Sequence, residues 1–167
     1  MRPPPYAGRS SVLRSMCGTG VDDANEAIAA PIRRAGARER FHLLGRRDDV
    51  PQVTAALDIL VSSSIYGEGF PNVLGEAIAC AVPCVTTNVG DSAMVVGETG
   101  RVTRPHDPAA LSSAIAALLA LDPEDRDALG RAARRRVEEH FALPRVVDRF
   151  ESLYDEVTDH VRHSRLH

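Results

Sequence analysis

The 167-residue sequence predicts an α/β fold in which a parallel sheet carries helices on both faces. Short apolar runs that suit buried strands alternate with amphipathic segments that suit helices. Gly and Pro, the residues that most often mark turns, separate these segments. Because each strand is followed by a helical segment, right-handed crossover connections are expected, and these place the strands parallel to one another.

The predicted elements occupy residues 11–162, and we expect the Pro-rich segment 1–10 to be disordered or irregular. Asp22 or Asp23 is predicted to cap the first helix, Pro31 to kink or stop it, and Gly36 to mark its C-terminal end. A loop with one helical turn is expected over 88–97. The expected strands cover residues 11–17, 41–45, 59–63, 85–87 and 100–103. The expected helices end near residues 35, 57, 81, 121, 141 and 161.

Composition excludes several classes of function. The net charge is −3, and charges of both signs are interspersed, so nucleic acid is not expected as a partner. All 20 basic residues are Arg, which excludes Schiff-base chemistry, including that of pyridoxal phosphate enzymes. The three cysteines are Cys17, Cys80 and Cys84, and we expect free thiols. Pro83 breaks the helix between the last two, so no metal site is expected there, and no cofactor is predicted.

Targeting signals are also missing from the sequence pattern. Residues 1–11 are rich in Pro and Arg and contain no apolar core of the kind that a signal peptide needs. No apolar run approaches the ~20 residues that a membrane-spanning helix requires. We therefore expect a soluble, cytoplasmic protein.

The most informative segment is bracketed by Glu68 and Glu76, which have seven residues between them. A turn with Pro71 opens a helix here, and a helix start offers unpaired N–H groups and roughly half a positive charge to an anion such as a phosphate. Gly67 and Gly69 allow a ligand to approach the backbone. Glu76 lies five residues after Pro71, which corresponds to about 7.5 Å along the helix axis. A carboxylate on each side of a bound diphosphate could accept hydroxyl hydrogen bonds, which suits a nucleotide sugar.

Other interpretations of these residues stay open at this point. Glutamates near a helix start are common because they complement the helix dipole. A glycosidase could use Glu68 and Glu76 as its carboxylate pair, which for a retaining reaction should stand ~5–5.5 Å apart. The turn Gly18-Thr19-Gly20 could hold a phosphate of a nicotinamide cofactor, although it does not complete the dinucleotide-binding pattern.

Five segments in order along the chain resemble the nucleotide-binding half of retaining glycosyltransferases of the group 1 type (family 4, GT-B fold). They cover residues 41–45, 68–76, 79–86, 97–102 and 105–108. The resemblance runs from about Cys17 to Val157. It implies that residues 11–162 form a single Rossmann-like donor-binding domain, which is half of a GT-B enzyme.

The resemblance also implies roles for individual residues. Glu68 would lie beside the donor sugar at the catalytic centre, and Glu76 would bind the ribose hydroxyls. Gly45 and Arg46 would contact the nucleobase. No catalytic metal ion is implied, and the leaving diphosphate would help to deprotonate the acceptor hydroxyl. The sugar and diphosphate would meet the backbone of Gly69, Phe70, Pro71, Asn72, Val73 and Leu74.

The sequence departs from the family pattern in several respects. The N-terminal acceptor domain has no counterpart here, so association with such a domain or with a separate subunit is expected. The Arg and Lys that usually bind the diphosphate cannot occur as a pair, because the chain contains no Lys. The segment 90–94 lacks the usual Glu, and the last helix should expose an apolar stripe. The alternative function is therefore a truncated or degenerate domain without catalytic activity of its own.

Overall fold

A computed structural model of the chain describes residues 12–164. The segment 1–10, which we expect to be irregular, lies outside the described residues. Contacts divide the chain into two compact units, one up to Val53 and the other from Thr54 onward. Each unit is described by itself.

The first unit is built around two parallel strands. Strand β1 (Arg14–Met16) pairs with β2 (Phe41–Leu43), so that Arg14 lies opposite Phe41. Helix α1 (Glu26–Arg34) connects them, followed by one 3₁₀ turn at Arg38–Arg40. Helix α2 (Val50–Ala55) begins in this unit and ends just beyond its boundary.

The start of α1 corrects the predicted cap. The side chain of Asn25, rather than that of Asp22 or Asp23, accepts a hydrogen bond from the Ala27 amide and caps the helix. Asp22 instead accepts from the amides of Ala24 and Asn25 and so forms the turn before the helix. Pro31 lies inside α1 without stopping it, and Gly36 follows the end with the positive φ that is typical of that position.

The second unit contains a three-stranded parallel sheet in the order β3-β4-β5. The strands are β3 (Leu60–Ser62), β4 (Cys84–Thr87) and β5 (Arg101–Thr103). A 3₁₀ turn covers Gly97–Thr99. The helices are α3 (Asn72–Ala79), α4 (Ser92–Val96), α5 (Pro108–Leu119), α6 (Pro123–His140) and α7 (Leu143–Ser164). The predicted fold class, parallel strands flanked by helices in a Rossmann-like arrangement, is confirmed.

The core of the second unit lies between the central strand and the helices. Every residue of β4 is buried, as expected for the middle strand of a parallel sheet. Leu74 and Ile78 of α3 are almost completely buried, and so is Val95 of α4. Helix α6 approaches the end of α3 very closely at Gly130, where a Cβ atom would lie 1.9 Å from the carbonyl oxygen of Ala81. This core fixes the position of α3, which begins inside the segment between Glu68 and Glu76.

The last helix exposes one apolar face. Val147, Phe150, Tyr154 and Val157 recur at helical spacing, and each is between 43% and 66% exposed. This agrees with the apolar stripe expected from the sequence. Within the described part of the chain, no helix has both the length and the apolar character needed to cross a membrane.

Candidate functional site

The candidate site lies in the connection from β3 to α3, which runs from Ser63 to Pro71. Gly67 has φ +80°, a left-handed conformation that favours glycine. A Cβ atom added at Gly67 or Gly69 would meet no atom of a non-adjacent residue within 4 Å, so the backbone is open to an approaching ligand there. The connection follows the carboxyl end of a parallel strand, the position at which α/β folds bind ligands.

Helix α3 begins directly after Pro71, at the residue where the sequence predicted its start. Pro71 lies at the capping position with φ −77° and ψ 97°, and the first helical residue is Asn72. No side chain caps the helix. Within the described residues, the amides of Asn72 and Val73 form no hydrogen bond. They are therefore available to an anion.

The other backbone positions of the predicted phosphate segment differ in what they can offer. Pro71 is buried and has no amide hydrogen. The Leu74 amide donates to the carbonyl oxygen of Pro71 over 3.0 Å, and the Leu74 side chain is completely buried. Leu74 thus belongs to the core and has no free donor for a ligand. Gly69 and Phe70 are exposed.

The two glutamates have different environments. Glu68 is half-buried, and its Oε1 atom accepts a hydrogen bond of 2.5 Å from the hydroxyl of Ser64. Glu76 is exposed on α3, and its carboxylate has no hydrogen bond or ion pair with the described residues. Glu68 is therefore held in place, whereas Glu76 is free to accept a hydrogen bond from a ligand.

A second loop supports the Glu68 segment from the end of β4. Gly90 has φ +55°, and a Cβ atom there would lie 2.4 Å from the carbonyl oxygens of both Glu68 and Gly69. The Asp91 amide donates to the Gly69 carbonyl over 2.9 Å. From the sequence, this loop was expected only to contain one helical turn and to lack the Glu of the family pattern. Its Gly-Asp pair after a buried strand was the signal that could have shown a close backbone contact.

Two hydroxyl groups at the site were also missed. Thr87, the last residue of β4, donates from Oγ1 to the Ser64 carbonyl oxygen over 2.5 Å. Ser64 in turn donates to Glu68. The polar run Ser62-Ser63-Ser64 directly after an apolar strand was a sequence signal for this position, but it did not indicate which serine bonds to the carboxylate.

The ring of Phe70 packs against Phe141, the residue that follows α6. Its centroid lies 5.7 Å from that of Phe141, with the ring planes tilted by 57°. Such tilted aromatic pairs are favourable. Phe70 is nevertheless 44% exposed, so it helps to hold the turn and also leaves apolar surface beside the helix start.

The two remaining predicted site residues lie in the first unit. Gly45 has φ +64°, its amide donates to the Val21 carbonyl, and its carbonyl oxygen accepts from the Gly18 amide, both over 2.9 Å. The backbone of Gly45 is thus fully used in holding the turn after β1. Arg46 is exposed and has no hydrogen bond or ion pair with the described residues.

The thiols do not take part in the site. Cys84 is buried in β4, and burial raises the pKa of its thiol to about 12, so it stays protonated and unreactive at neutral pH. Cys17 is exposed in the first unit. Among the described residues, no group of three His, Cys, Asp or Glu side chains could hold a metal ion.

Comparison with known proteins identifies the family. Residues 12–121 match the family model of the group 1 glycosyl transferases. The chain belongs to this family. One relative is N-acetyl-alpha-D-glucosaminyl L-malate synthase of Bacillus anthracis, 32% identical over 128 residues, which cover 75% of this chain and 33% of the relative. The chain thus spans about a third of the length of this curated relative. Family membership supports neither the nicotinamide nor the glycosidase interpretation.

Solved structures show the same fold. Sucrose-phosphate synthase from Thermosynechococcus elongatus superposes with a TM-score of 0.74 at 27% identity, over 87% of this chain and 38% of that protein. Anabaena Alr3699/HepE in complex with UDP-glucose also gives a TM-score of 0.74, at 23% identity, over 86% of this chain and 41% of that protein. The glycosyltransferase chain described here therefore has the fold of one part of these larger proteins.

Proposed function

We propose that this chain is the donor-binding part of a retaining glycosyltransferase and binds a nucleotide-diphosphate sugar. The observation that carries the proposal is the start of α3. Two unbonded amides, at Asn72 and Val73, lie in a segment that has a carboxylate at each end. Donors for phosphate oxygens between two acceptors for hydroxyl groups match the order sugar, diphosphate and ribose.

Each carboxylate has a separate role in this proposal. Glu76, exposed and without a partner among the described residues, accepts hydrogen bonds from the ribose hydroxyls. Glu68 acts at the catalytic centre, where its carboxylate contacts the donor sugar. The diphosphate meets the amides at the start of α3 and the open backbone of Gly69 and Phe70. A uridine nucleotide is a suitable first probe, because HepE, which has a similar fold, was solved in complex with UDP-glucose.

The proposed reaction keeps the configuration of the sugar. The acceptor oxygen bonds to the anomeric carbon on the face from which the diphosphate departs, and the bond from that carbon to the phosphate oxygen breaks. The acceptor proton passes to an oxygen of the leaving diphosphate. The chain contributes by orienting the donor and stabilising the charge that develops on the leaving group. One helix terminus contributes only about 0.3–1 kcal/mol, or ~2 kcal/mol when partly buried, so positioning must supply most of the effect.

Further parts of the proposal concern the rest of the molecule. We propose that Gly45 and Arg46 contact the nucleobase. The amide and carbonyl groups of Gly45 already form hydrogen bonds, so Gly45 would make a van der Waals contact through its Cα atom, beside which there is open space. We also propose that activity requires an acceptor domain, in the same polypeptide or in a separate subunit, and that the protein acts in the cytoplasm. The acceptor itself is not specified by these residues.

A second candidate function is a degenerate domain that lacks activity by itself. The observation that favours it is the absence of Lys, because the Arg and Lys pair that the resemblance implies for the diphosphate cannot be present in its usual form. Such a domain would bind nucleotide weakly or not at all, whereas an intact donor site should bind it without an acceptor domain. Binding measurements on the chain therefore distinguish the two candidates better than an activity assay does.

The test is calorimetric titration of the purified chain with UDP, GDP and ADP and with UDP-glucose, GDP-mannose and ADP-glucose. We expect one nucleotide family to bind, and Glu76→Ala to weaken its binding by roughly 10- to 100-fold, the effect of losing a hydrogen bond to a charged group. Glu151→Ala is the matched control, because Glu151 is also exposed on a helix. No heat with any of the six ligands would favour the degenerate domain. Equal binding by Glu76→Ala and wild type would remove the donor-site assignment.

A further inference from the structure

A chain of hydrogen bonds connects the ends of β3 and β4 to the Glu68 carboxylate. Thr87 is only 4% exposed, and its hydroxyl donates to the Ser64 carbonyl oxygen over 2.5 Å. The Ser64 hydroxyl donates to Glu68 Oε1 over the same distance. The two strands are adjacent in the sheet, with Ser62 opposite Thr86. The series of hydrogen bonds therefore begins on backbone that the sheet holds rigid.

The direction of these bonds determines what each group can do. A serine hydroxyl has one hydrogen, and here it points to the carboxylate. Hydrogen bonds to a carboxylate are about twice as strong as those between neutral groups, so this contact selects one orientation of a flexible side chain. The second carboxylate oxygen, Oε2, accepts no hydrogen bond from the described residues. One oxygen is thus anchored and the other is left for a ligand.

The backbone of the same segment is fixed independently. Gly90 packs against the carbonyl groups of Glu68 and Gly69, and the Asp91 amide holds the Gly69 carbonyl. This contact positions the main chain but leaves the side-chain torsions of Glu68 free. The hydroxyl pair is therefore the feature among the described contacts that orients the carboxylate itself.

We propose that Ser64 and Thr87 are positioning residues that aim the free oxygen of Glu68 at a hydroxyl of the donor sugar. The inference rests on the proposed function, since it requires a nucleotide sugar at this site. Ser64 acts directly on the carboxylate, and Thr87 acts through the Ser64 backbone. Neither residue needs to contact the nucleotide, so their effect should depend on whether the ligand carries a sugar.

The test compares a nucleotide sugar with the same nucleotide lacking the sugar. Wild type, Ser64→Ala, Thr87→Val and the control Ser63→Ala are titrated with UDP-glucose and UDP, and likewise with the GDP-mannose and GDP pair and the ADP-glucose and ADP pair. Ser63 is the matched control because it is the exposed neighbour of Ser64 and has no hydrogen bond from its side chain to the described residues. Circular dichroism confirms that each variant is folded.

For the pair of ligands that wild type binds, we expect Ser64→Ala to weaken binding of the nucleotide sugar about tenfold, because a misoriented Glu68 loses roughly one charged hydrogen bond to the sugar. Binding of the nucleotide without the sugar should weaken less than about twofold. Thr87→Val should give a smaller loss of the same selectivity, Thr87→Ser should restore wild-type values, and Ser63→Ala should change neither affinity. In a Glu68→Ala background, Ser64→Ala should have no further effect.

The alternative outcomes have distinct meanings. If Ser64→Ala weakened the binding of both ligands equally, Ser64 and Thr87 would only stabilise the loop. If it changed the affinity for neither ligand, the two residues would not orient Glu68. Both results overturn this inference while the donor-site proposal stands. A wild-type chain that binds none of the ligands overturns the proposed function and this inference together.

Discussion

Gly90 provides the sharpest test of how the candidate site is held in place. The change Gly90→Ala would introduce a Cβ 2.4 Å from the carbonyl oxygens of Glu68 and Gly69, a separation that packed atoms do not tolerate. It would also place a side chain on a residue with φ +55°, which costs about 1–2 kcal/mol for a residue other than glycine. Relief of the overlap by shifting backbone adds about 1–3 kcal/mol. We therefore expect a total loss of about 2–5 kcal/mol in the free energy of unfolding.

Gly67→Ala is the matched control. Gly67 also has a left-handed φ, +80°, but an added Cβ would meet nothing within 4 Å. This variant should lose only the conformational part, about 1–2 kcal/mol. Both glycines lie in the second unit; Gly67 precedes Glu68 in sequence, and Gly90 packs against the Glu68 carbonyl group. The difference between the variants therefore isolates the close contact.

The assay is urea denaturation followed by far-ultraviolet circular dichroism, with the midpoint and slope compared among the three proteins. Gly90→Ala should also weaken binding of the nucleotide sugar, because the displaced segment carries Glu68. Surface substitutions usually change the free energy of unfolding by less than about 0.5 kcal/mol. If the free energies of unfolding of the two variants differ by less than this, the reasoning about the Gly90 contact is wrong.

Two further predictions concern the core of the second unit. Gly130→Ala should destabilise the chain by about 2 kcal/mol or more, since its Cβ would lie 1.9 Å from the Ala81 carbonyl, whereas Gly75→Ala, with open space around it, should gain up to about 1 kcal/mol from helix propensity; equal effects in urea denaturation would contradict the packing of α6 on α3. Cys84 has a pKa raised from 9.0 to about 12, so its thiol ionises first in the unfolded state as pH rises. Its contribution to stability is therefore complete below pH 9.0 and is lost at about 1.4 kcal/mol for each pH unit above that, up to about pH 12. Subtracting the pH dependence of Cys84→Ala from that of wild type between pH 8 and 10 should reveal this slope, and identical slopes would show that the thiol is not buried.

The local parts of the fold were predictable because they depend on neighbouring residues. The apolar run of β4 and the Pro71 turn were recognised, and α3 begins at the residue expected. Ends of elements were less predictable. Asp22, Asp23 and Asn25 all suit a helix cap, and the sequence does not show which of them the packed helix will use.

The sequence alone shows the alternation of strands and helices and the pair of carboxylates around a helix start, because both follow from spacing within short segments. The resemblance to the family comes from five motifs in order along the chain. Tertiary structure alone decided that Gly90 supports Glu68 and Gly69, that Thr87 and Ser64 orient the carboxylate, and that Leu74 belongs to the core. Thr87 and Ser64 are 23 residues apart, and they meet only because β3 and β4 pair in parallel with a fixed register. No local pattern encodes that register, because it depends on how the helices pack against the sheet.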